Sequence, residues 1–206
     1  MVNKLKGVPD IHIQNPFKEN KMFVGIRQGG KTNTCAYFLS RSSLPYTVWD
    51  EIGAFSKIIR PMYPQTQRII NPSMLDTDAK LALLHQTCKR VMAEGKQLFV
   101  IDEVHQYCTK CKLDKELERV ITLGGNKHIG VTCTSQSVRQ VHNTIIGNTM
   151  HFFIMKTFLK PDVDWLSAFV PKEYVLLSQS LPPYAFIYYK LGGKPLICAP
   201  VKKMQL

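Results

Sequence analysis

The sequence contains no apolar run as long as a membrane span, and its N-terminus, MVNKLKGVPD, lacks the apolar core of a signal peptide. It also contains no internal repeat and no low-complexity segment. We therefore expect a globular protein of a cytosol-like compartment. In such a compartment its six cysteines are predicted to be thiols rather than a disulfide framework.

Acidic residues are few, with 15 Asp and Glu against 27 Lys and Arg, and the formal net charge is +12. This surplus favours a polyanionic partner such as nucleic acid or an anionic membrane face, although solubility alone is an alternative explanation. The basic residues are spread along the chain rather than collected in a tail. A nucleic-acid surface therefore has to be assembled by folding or by oligomerisation.

Strand-like runs alternate with helical patterns, which predicts an α/β fold with a mainly parallel sheet covered by helices on both faces. The predicted strands are KMFVG, LPYTVWDE, RII, QLFVIDE, HIGVTCTSQ and HFFIMK. The predicted helices are residues 31–40, residues 76–95, KELERVITLGG and VRQVHNTIIGN. The tail, YAFIYYKLGGKPLICAPV, predicts an antiparallel hairpin around Gly192 and Gly193 at the sheet edge.

Residues 25–32, GIRQGGKT, match the pattern G-x-x-x-x-G-K-[ST] between a predicted strand and a predicted helix. Such a P-loop turns backbone N–H groups and the positive end of a helix onto a phosphate. Lys31 is expected to neutralise the β- and γ-phosphate oxygens, and the Thr32 hydroxyl to bind Mg²⁺, so the expected ligand is ATP with Mg²⁺. The predicted nucleotide-binding residues are Gly25, Arg27, Gln28, Gly29, Gly30, Lys31, Thr32 and Asn33.

Two acidic pairs follow predicted strands, Asp50-Glu51 and Asp102-Glu103. The second is preferred, because four apolar residues lead to it and its strand can lie centrally beside the P-loop strand. There Asp102 is expected to hold Mg²⁺ through water, and Glu103 to polarise the attacking water as general base. The first pair is interpreted as a capped strand end.

The next predicted strand is followed by Gln136, which can reach the γ-phosphate or the attacking water. A helix cap formed by Ser135 is a compatible alternative. Hydrolysis at such sites often requires a positive charge from a neighbouring subunit. Candidates are Arg119, Lys127 and Arg139, for each of which an ordinary surface charge is the alternative.

His105, Cys108 and Cys111 have the spacing of zinc ligands, and His85 with Cys88 could complete a set. Structural zinc sites usually consist of two clean ligand pairs, which are not evident here. Ordinary loop thiols are therefore the favoured interpretation.

In the order GIRQGGKT, LFVIDE and GGNKHIGVTCTSQ, these motifs resemble the FtsK–HerA superfamily of P-loop motors. They are most similar to the genome-packaging ATPases of archaeal turreted icosahedral viruses, which have internal membranes. The resemblance covers about residues 20–160. It implies an ASCE/RecA-like fold with Walker A at residues 25–32, a Walker B pair at Asp102 and Glu103, and Gln136 as sensor.

The resemblance also implies a homo-oligomeric ring, hexameric or pentameric, that pumps double-stranded DNA into a preformed capsid. Such a ring would act in the host cytoplasm or at the packaging vertex of the virion, next to capsid and inner membrane. Residues 1–206 would form one domain, with a motor core at about 20–160 and C-terminal strands at about 161–206. Relatives often carry an arginine where this chain has Lys127, so Arg119 is the preferred finger.

Two other functions are considered. A nucleoside or nucleotide kinase shares the P-loop but needs a lid with clustered arginines, whereas the arginines here are scattered. A phage export or assembly ATPase normally has a membrane anchor, for which the sequence shows no candidate.

Overall fold

The computed structural model describes residues 11, 13, 15–157 and 159–204, so the N-terminal stretch that we tested for a signal peptide lies outside it. The strands are β1 (Asn20–Val24), β2 (Tyr46–Trp49), β3 (Gln67–Ile70), β4 (Gln97–Ile101), β5 (Ile129–Ser135), β6 (Thr149–Ile154), β7 (Phe186–Lys190) and β8 (Leu196–Cys198). They form one sheet in the order β3-β2-β4-β5-β1-β6-β7-β8. Strands β1 to β6 are parallel, and the β6–β7 and β7–β8 pairs are antiparallel.

Helices cover the sheet as predicted. They are α1 (Lys31–Ser40), α2 (Thr77–Glu94), α3 (Lys115–Leu123), α4 (Asn143–Gly147), α5 (Lys160–Leu166) and α6 (Lys172–Leu177). Helix α2 shows how local sequence sets the bounds: the Asp76 side chain accepts a hydrogen bond from Ala79 N at 2.8 Å, and Gly95 ends the helix at a positive φ of 60°. No described helix is both long and apolar enough to cross a membrane.

Apolar side chains fill both faces of the sheet. Along β1, Met22 and Val24 belong to one buried cluster and Phe23 to the other, because successive strand residues point to opposite faces. In β4 all five residues are buried. A parallel sheet covered on both sides explains why the central strands are almost continuously apolar, and it confirms the predicted fold class together with the C-terminal hairpin.

The predicted position of β4 was wrong in one respect, because β5 lies between β4 and the P-loop strand β1. Strand β5 pairs in parallel with both neighbours. It therefore inserts its own polar side chains between the acidic pair and the P-loop. The two motifs meet across the carboxyl edge of β5 rather than by direct strand pairing.

Two segments differ from their predicted secondary structure. The segment predicted as one helix, VRQVHNTIIGN, is a 3₁₀ turn at Val138–Gln140 followed by α4. The helix is interrupted because Val141 and His142 are extended and the His142 ring accepts a hydrogen bond from Thr144 N at 3.2 Å, which caps α4. The C-terminal part, expected to hold only strands, first forms α5 and α6, so the hairpin begins only at Phe186.

Gly130 in β5 is required by a close backbone approach. A Cβ atom at this position would lie 1.9 Å from Pro16 O. We expect Gly130→Ala to lower the free energy of unfolding by about 1–3 kcal/mol or more, measured by urea denaturation.

The matched control for this prediction is Gly147→Ala, since a Cβ at Gly147 meets nothing within 4 Å. This control should leave stability unchanged or raise it by up to about 1 kcal/mol, because alanine restricts the unfolded chain. Equal stability of Gly130→Ala and the wild type would contradict the close approach of residues 16 and 130.

Candidate nucleotide site

The loop between β1 and α1 is a tight backbone cradle. Gly29 N donates to Ile26 O at 3.0 Å, and Ile26 N donates to Lys156 O at 3.0 Å, which ties the loop to the residues after β6. Glycine is needed at Gly25, where φ is 150° and a Cβ would lie 2.7 Å from Met155 Cβ. The loop therefore has the compact form that the P-loop pattern predicts.

Lys31 is buried, with a relative exposure of 5%, although it is a lysine. Its Nζ donates to Gly25 O at 2.9 Å and to Ile26 O at 3.2 Å, and lies 3.9 Å from Glu103 Oε1. Burial lowers the pKa of Lys31, and the negative charges of Glu103 and Asp102 oppose that effect. The ammonium group is thus held over the loop by carbonyl oxygens.

Asp102 is fully buried at the end of β4. Its Oδ1 accepts a hydrogen bond from Thr134 Oγ1 at 2.7 Å, while its Oδ2 has no hydrogen-bond partner among the described residues. Burial raises the pKa of Asp102 to about 7; the Thr134 hydrogen bond lowers it, and the nearby charge of Glu103 raises it further. Thr134 itself was not predicted, although it lies within the quoted segment TCTSQ.

A magnesium ion fits this environment, because the buried and unpartnered oxygen of Asp102 is the kind of hard ligand that Mg²⁺ takes. A divalent cation would also favour the charged form of a carboxylate whose pKa is raised by burial. Thr32, the second predicted magnesium ligand, lines the same cavity as Lys31, beside the P-loop.

Glu103 is held in a left-handed backbone conformation, with φ 49° and ψ 52°, and is 4% exposed. Its N–H donates to Thr134 Oγ1 at 3.0 Å, and its Oε1 accepts from Gln136 Nε2 at 3.0 Å. Its Oε2 lies 3.3 Å from His105 Nδ1, yet no donor among the described residues has hydrogen-bonding geometry to that oxygen. A non-glycine residue in this conformation is uncommon and is often part of a functional site.

Gln136 therefore contacts Glu103 directly, which the sequence alone did not indicate. The alternative role for Ser135, as helix cap, is not observed: the residue before the 3₁₀ turn is Ser137. Ser135 Oγ lies 3.2 Å from His105 Nδ1 and donates to Ser137 O at 2.9 Å. Burial lowers the pKa of His105, against the effect of Glu103.

The P-loop and the acidic edge face one cavity of about 410 Å³. Its lining residues are Arg27, Gln28, Gly29, Gly30, Lys31, Thr32, Asn33, Ile52, Glu103, Gln136 and Tyr184. Every predicted nucleotide-binding residue except Gly25 is among them. Ile52 and Tyr184 were not predicted, because they come from loops without a recognisable motif.

Asn33 has a structural partner in addition to its place in the cavity wall. Its Oδ1 accepts from Met204 N at 2.8 Å, and its Nδ2 donates to Lys202 O at 3.4 Å. The side chain thus fastens the C-terminal segment to the start of α1. Its backbone N–H and the second N–H of its amide remain available for the predicted contact with phosphate.

The three candidate fingers, Arg119, Lys127 and Arg139, are all exposed, and none lines the nucleotide cavity. Arg139 lines a neighbouring cavity of about 430 Å³ together with His105 and Lys110. A finger acting from a neighbouring subunit would be exposed in a single chain. The positions of these residues therefore agree both with a finger and with an ordinary surface charge.

The two carboxylates of the first acidic pair, which we interpret as a capped strand end, have partners within the protein. Asp50 accepts hydrogen bonds from Phe55 N at 3.0 Å and from Ser56 N at 2.8 Å. Glu51 pairs with Lys80 Nζ at 2.6 Å and also accepts a hydrogen bond from Tyr107. Both carboxylates are therefore committed within the protein.

The suggested zinc ligands do not come together. Among the described residues there is no group of three or more His, Cys, Asp or Glu side chains with metal-binding geometry. Cys111 is exposed, Cys88 is buried in the core, and His85 Nε2 pairs with Asp114 Oδ2 at 2.6 Å. Cys108 Sγ lies 3.5 Å from Val104 O.

The sheet order and the loop together define a protein with the P-loop NTPase fold. No protein-family model and no curated protein sequence matches this chain. Solved structures do. The genome packaging NTPase B204 of Sulfolobus turreted icosahedral virus 2, in complex with ATP-gammaS, superposes with a TM-score of 0.73 at 16% identity over 92% of this chain and 100% of that chain.

B204, the DNA-packaging ATPase from Sulfolobus Turreted Icosahedral Virus, gives a TM-score of 0.72 at 14% identity, over 92% of this chain and 100% of that chain. The cytoplasmic domain of the type VII secretion ATPase EccC of Thermomonospora curvata gives 0.67 at 10% identity, over 94% of this chain and 25% of that chain. At these identities the likeness establishes the fold. The structural neighbours include the turreted-virus packaging ATPases that the sequence motifs resemble, so the resemblance is confirmed for the fold.

Proposed function

We propose that this protein is an ATP-hydrolysing DNA translocase that packages a double-stranded viral genome into a preformed capsid. The observation that carries the proposal is the convergence of Lys31, Glu103 and Gln136 on one cavity, with Lys31 Nζ 3.9 Å and Gln136 Nε2 3.0 Å from Glu103 Oε1. A cation for the phosphates and a carboxylate for water at the same place are what hydrolysis of a triphosphate requires.

The chain's own residues suggest how the reaction proceeds. When a triphosphate enters, Lys31 exchanges its bonds to the carbonyl groups of Gly25 and Ile26 for bonds to phosphate oxygens. Glu103 keeps Oε1 on Gln136 and accepts the proton of the attacking water at Oε2, which lacks a donor. Mg²⁺, held at Thr32 and Asp102, would stabilise the charge that develops on the phosphates.

A carboxylate at Glu103 can accept a proton from water or from a substrate hydroxyl, so its position is compatible with hydrolysis and with a kinase. The scattered arginines, which form no lid-like cluster in the sequence, argue against the nucleoside or nucleotide kinase. The phage export or assembly ATPase shares this chemistry and differs only in the partner.

The charge of the chain supports DNA as that partner. The net charge is +12, and exposed Lys110 and Arg139 line one cavity with His105, whose Nδ1 lies 3.3 Å from Glu103 Oε2. Phosphate contacts of this kind bind DNA without regard to sequence, as a translocase requires. The two B204 structures belong to packaging ATPases, which supports a homo-oligomeric ring at a capsid vertex.

Phosphate release from ATP and Mg²⁺, measured with and without long double-stranded DNA over a range of protein concentrations, tests the proposal. We expect DNA to stimulate hydrolysis several-fold, with specific activity rising with protein concentration, because a neighbouring subunit completes each site. Stimulation should decrease as salt is raised. Glu103→Gln is the control for contaminating ATPases.

Two results would contradict the proposal in different ways. Hydrolysis indifferent to DNA at low salt would remove DNA as the partner and leave an ATPase of another kind. Phosphate transfer to an added nucleoside, without release of free phosphate, would support the kinase instead.

A further inference from the structure

An exposed tyrosine, Tyr184, packs against the P-loop. Tyr184 follows Pro182 and Pro183 in the connection between the 3₁₀ turn Ser178–Ser180 and β7. Its ring lies against Gly30, since a Cβ at Gly30 would be 3.2 Å from Tyr184 Cδ1. The ring forms part of the wall of the nucleotide cavity and is still 56% exposed.

The backbone of Tyr184 is set by a turn over residues 182–185, which is closed by a hydrogen bond from Ala185 N to Pro182 O at 3.2 Å. Tyr184 has a φ of 64°, a left-handed conformation that is unfavourable for a bulky side chain. Its hydroxyl has no hydrogen-bond partner in the part of the chain that the structure describes, and most of the ring area is not buried. The turn explains the backbone, but neither burial nor a polar contact holds the side chain, so the ring has the features of a surface kept for a ligand.

The sheet order shows which part of a nucleotide would meet the ring. Glu103 and Gln136 follow β4 and β5, on one side of β1, and mark the position of the γ-phosphate. Tyr184 precedes β7, on the opposite side of β1. A triphosphate whose reacting end points to Glu103 therefore extends its sugar and base away from β5 and towards Tyr184.

We propose that Tyr184 is the platform on which the nucleotide base stacks. The proposal rests on the proposed ATPase function, because it requires the triphosphate to bind in the cavity of the P-loop. Stacking uses the π-face that every base presents, so Tyr184 increases affinity for nucleotides in general and discriminates weakly between bases. On this proposal the base, rather than the phosphates, contacts the face of the ring.

The test compares two ligands, ATP and inorganic tripolyphosphate, by calorimetry on the wild type and on Tyr184→Asn. Asparagine tolerates the left-handed conformation, so this change removes the ring without adding backbone strain. We expect ATP binding to weaken between about 5-fold and 150-fold, and tripolyphosphate binding to stay unchanged. Tyr184→Phe should bind ATP like the wild type.

The control is Tyr63→Asn, which removes another exposed tyrosine that does not line the cavity and should change neither affinity. Equal weakening of both ligands by Tyr184→Asn, or unchanged ATP binding, would overturn the platform while the P-loop assignment stands. A wild-type protein that binds neither ligand would overturn the proposed function, and the platform with it.

Discussion

Glu103→Gln is expected to reduce ATP turnover by roughly 10²–10⁴-fold while ATP binding is retained. The amide has the shape of the carboxylate but does not accept a proton from water. Because the side chain is 4% exposed and Oε1 already accepts from Gln136 Nε2, the substitution should keep its position. Single-turnover hydrolysis and equilibrium binding of ATP, measured on the same preparation, separate the chemical step from affinity.

Glu51→Gln is the matched control, since Glu51 is also the second acid of a pair after a buried strand and is 3% exposed. Its carboxylate pairs with Lys80 and accepts from Trp49 Nε1, so its loss should lower stability and leave the turnover of the folded fraction unchanged. If Glu51→Gln stopped turnover and Glu103→Gln did not, the first acidic pair would be the catalytic one and the assignment would be reversed.

Local sequence was sufficient to predict those elements whose structure depends on residues that are neighbours along the chain. The bounds of α1 and α2 follow from the P-loop pattern, from the Asp76 cap and from the Gly95 stop. The hairpin follows from the paired apolar runs around Gly192. In each case a turn or cap residue adjoins a periodic apolar pattern, so the signal and the structure occupy the same segment.

Features that depend on distant contacts were not predicted. Nothing in QLFVIDE indicates that β5 separates β4 from β1, because the order of parallel strands is set by how the crossover helices pack. The break at His142 depends on a side chain capping α4 where apolar spacing favoured one continuous helix. Thr134 and Tyr184 enter the site only through folding. Thr134 lies 32 residues from Asp102 along the chain, and Tyr184 lies more than 150 residues from Gly30.

Lys31→Ala is expected to weaken ATP binding by roughly 10²–10⁴-fold and to abolish turnover. The estimate corresponds to the loss of two charge-assisted hydrogen bonds to phosphate, each contributing about 1.5–3 kcal/mol. Lys31 Nζ is already directed at the loop by Gly25 O and Ile26 O, so little reorganisation precedes its contact with a triphosphate. Calorimetric titration with ATP and phosphate release at saturating ATP measure the two effects.

Lys21, on strand β1, provides a control, because it is also a buried lysine that donates to two backbone carbonyls, Pro16 O at 3.0 Å and Glu19 O at 2.7 Å. It lies at the start of β1, whereas Lys31 follows the end of that strand, so the two differ in location and resemble each other in environment. Lys21→Ala should lower stability and leave ATP affinity unchanged, because its partners belong to the opposite edge of the sheet. A Lys31→Ala protein that hydrolyses ATP at the wild-type rate would refute the P-loop assignment, since no other buried cation among the described residues lines that cavity.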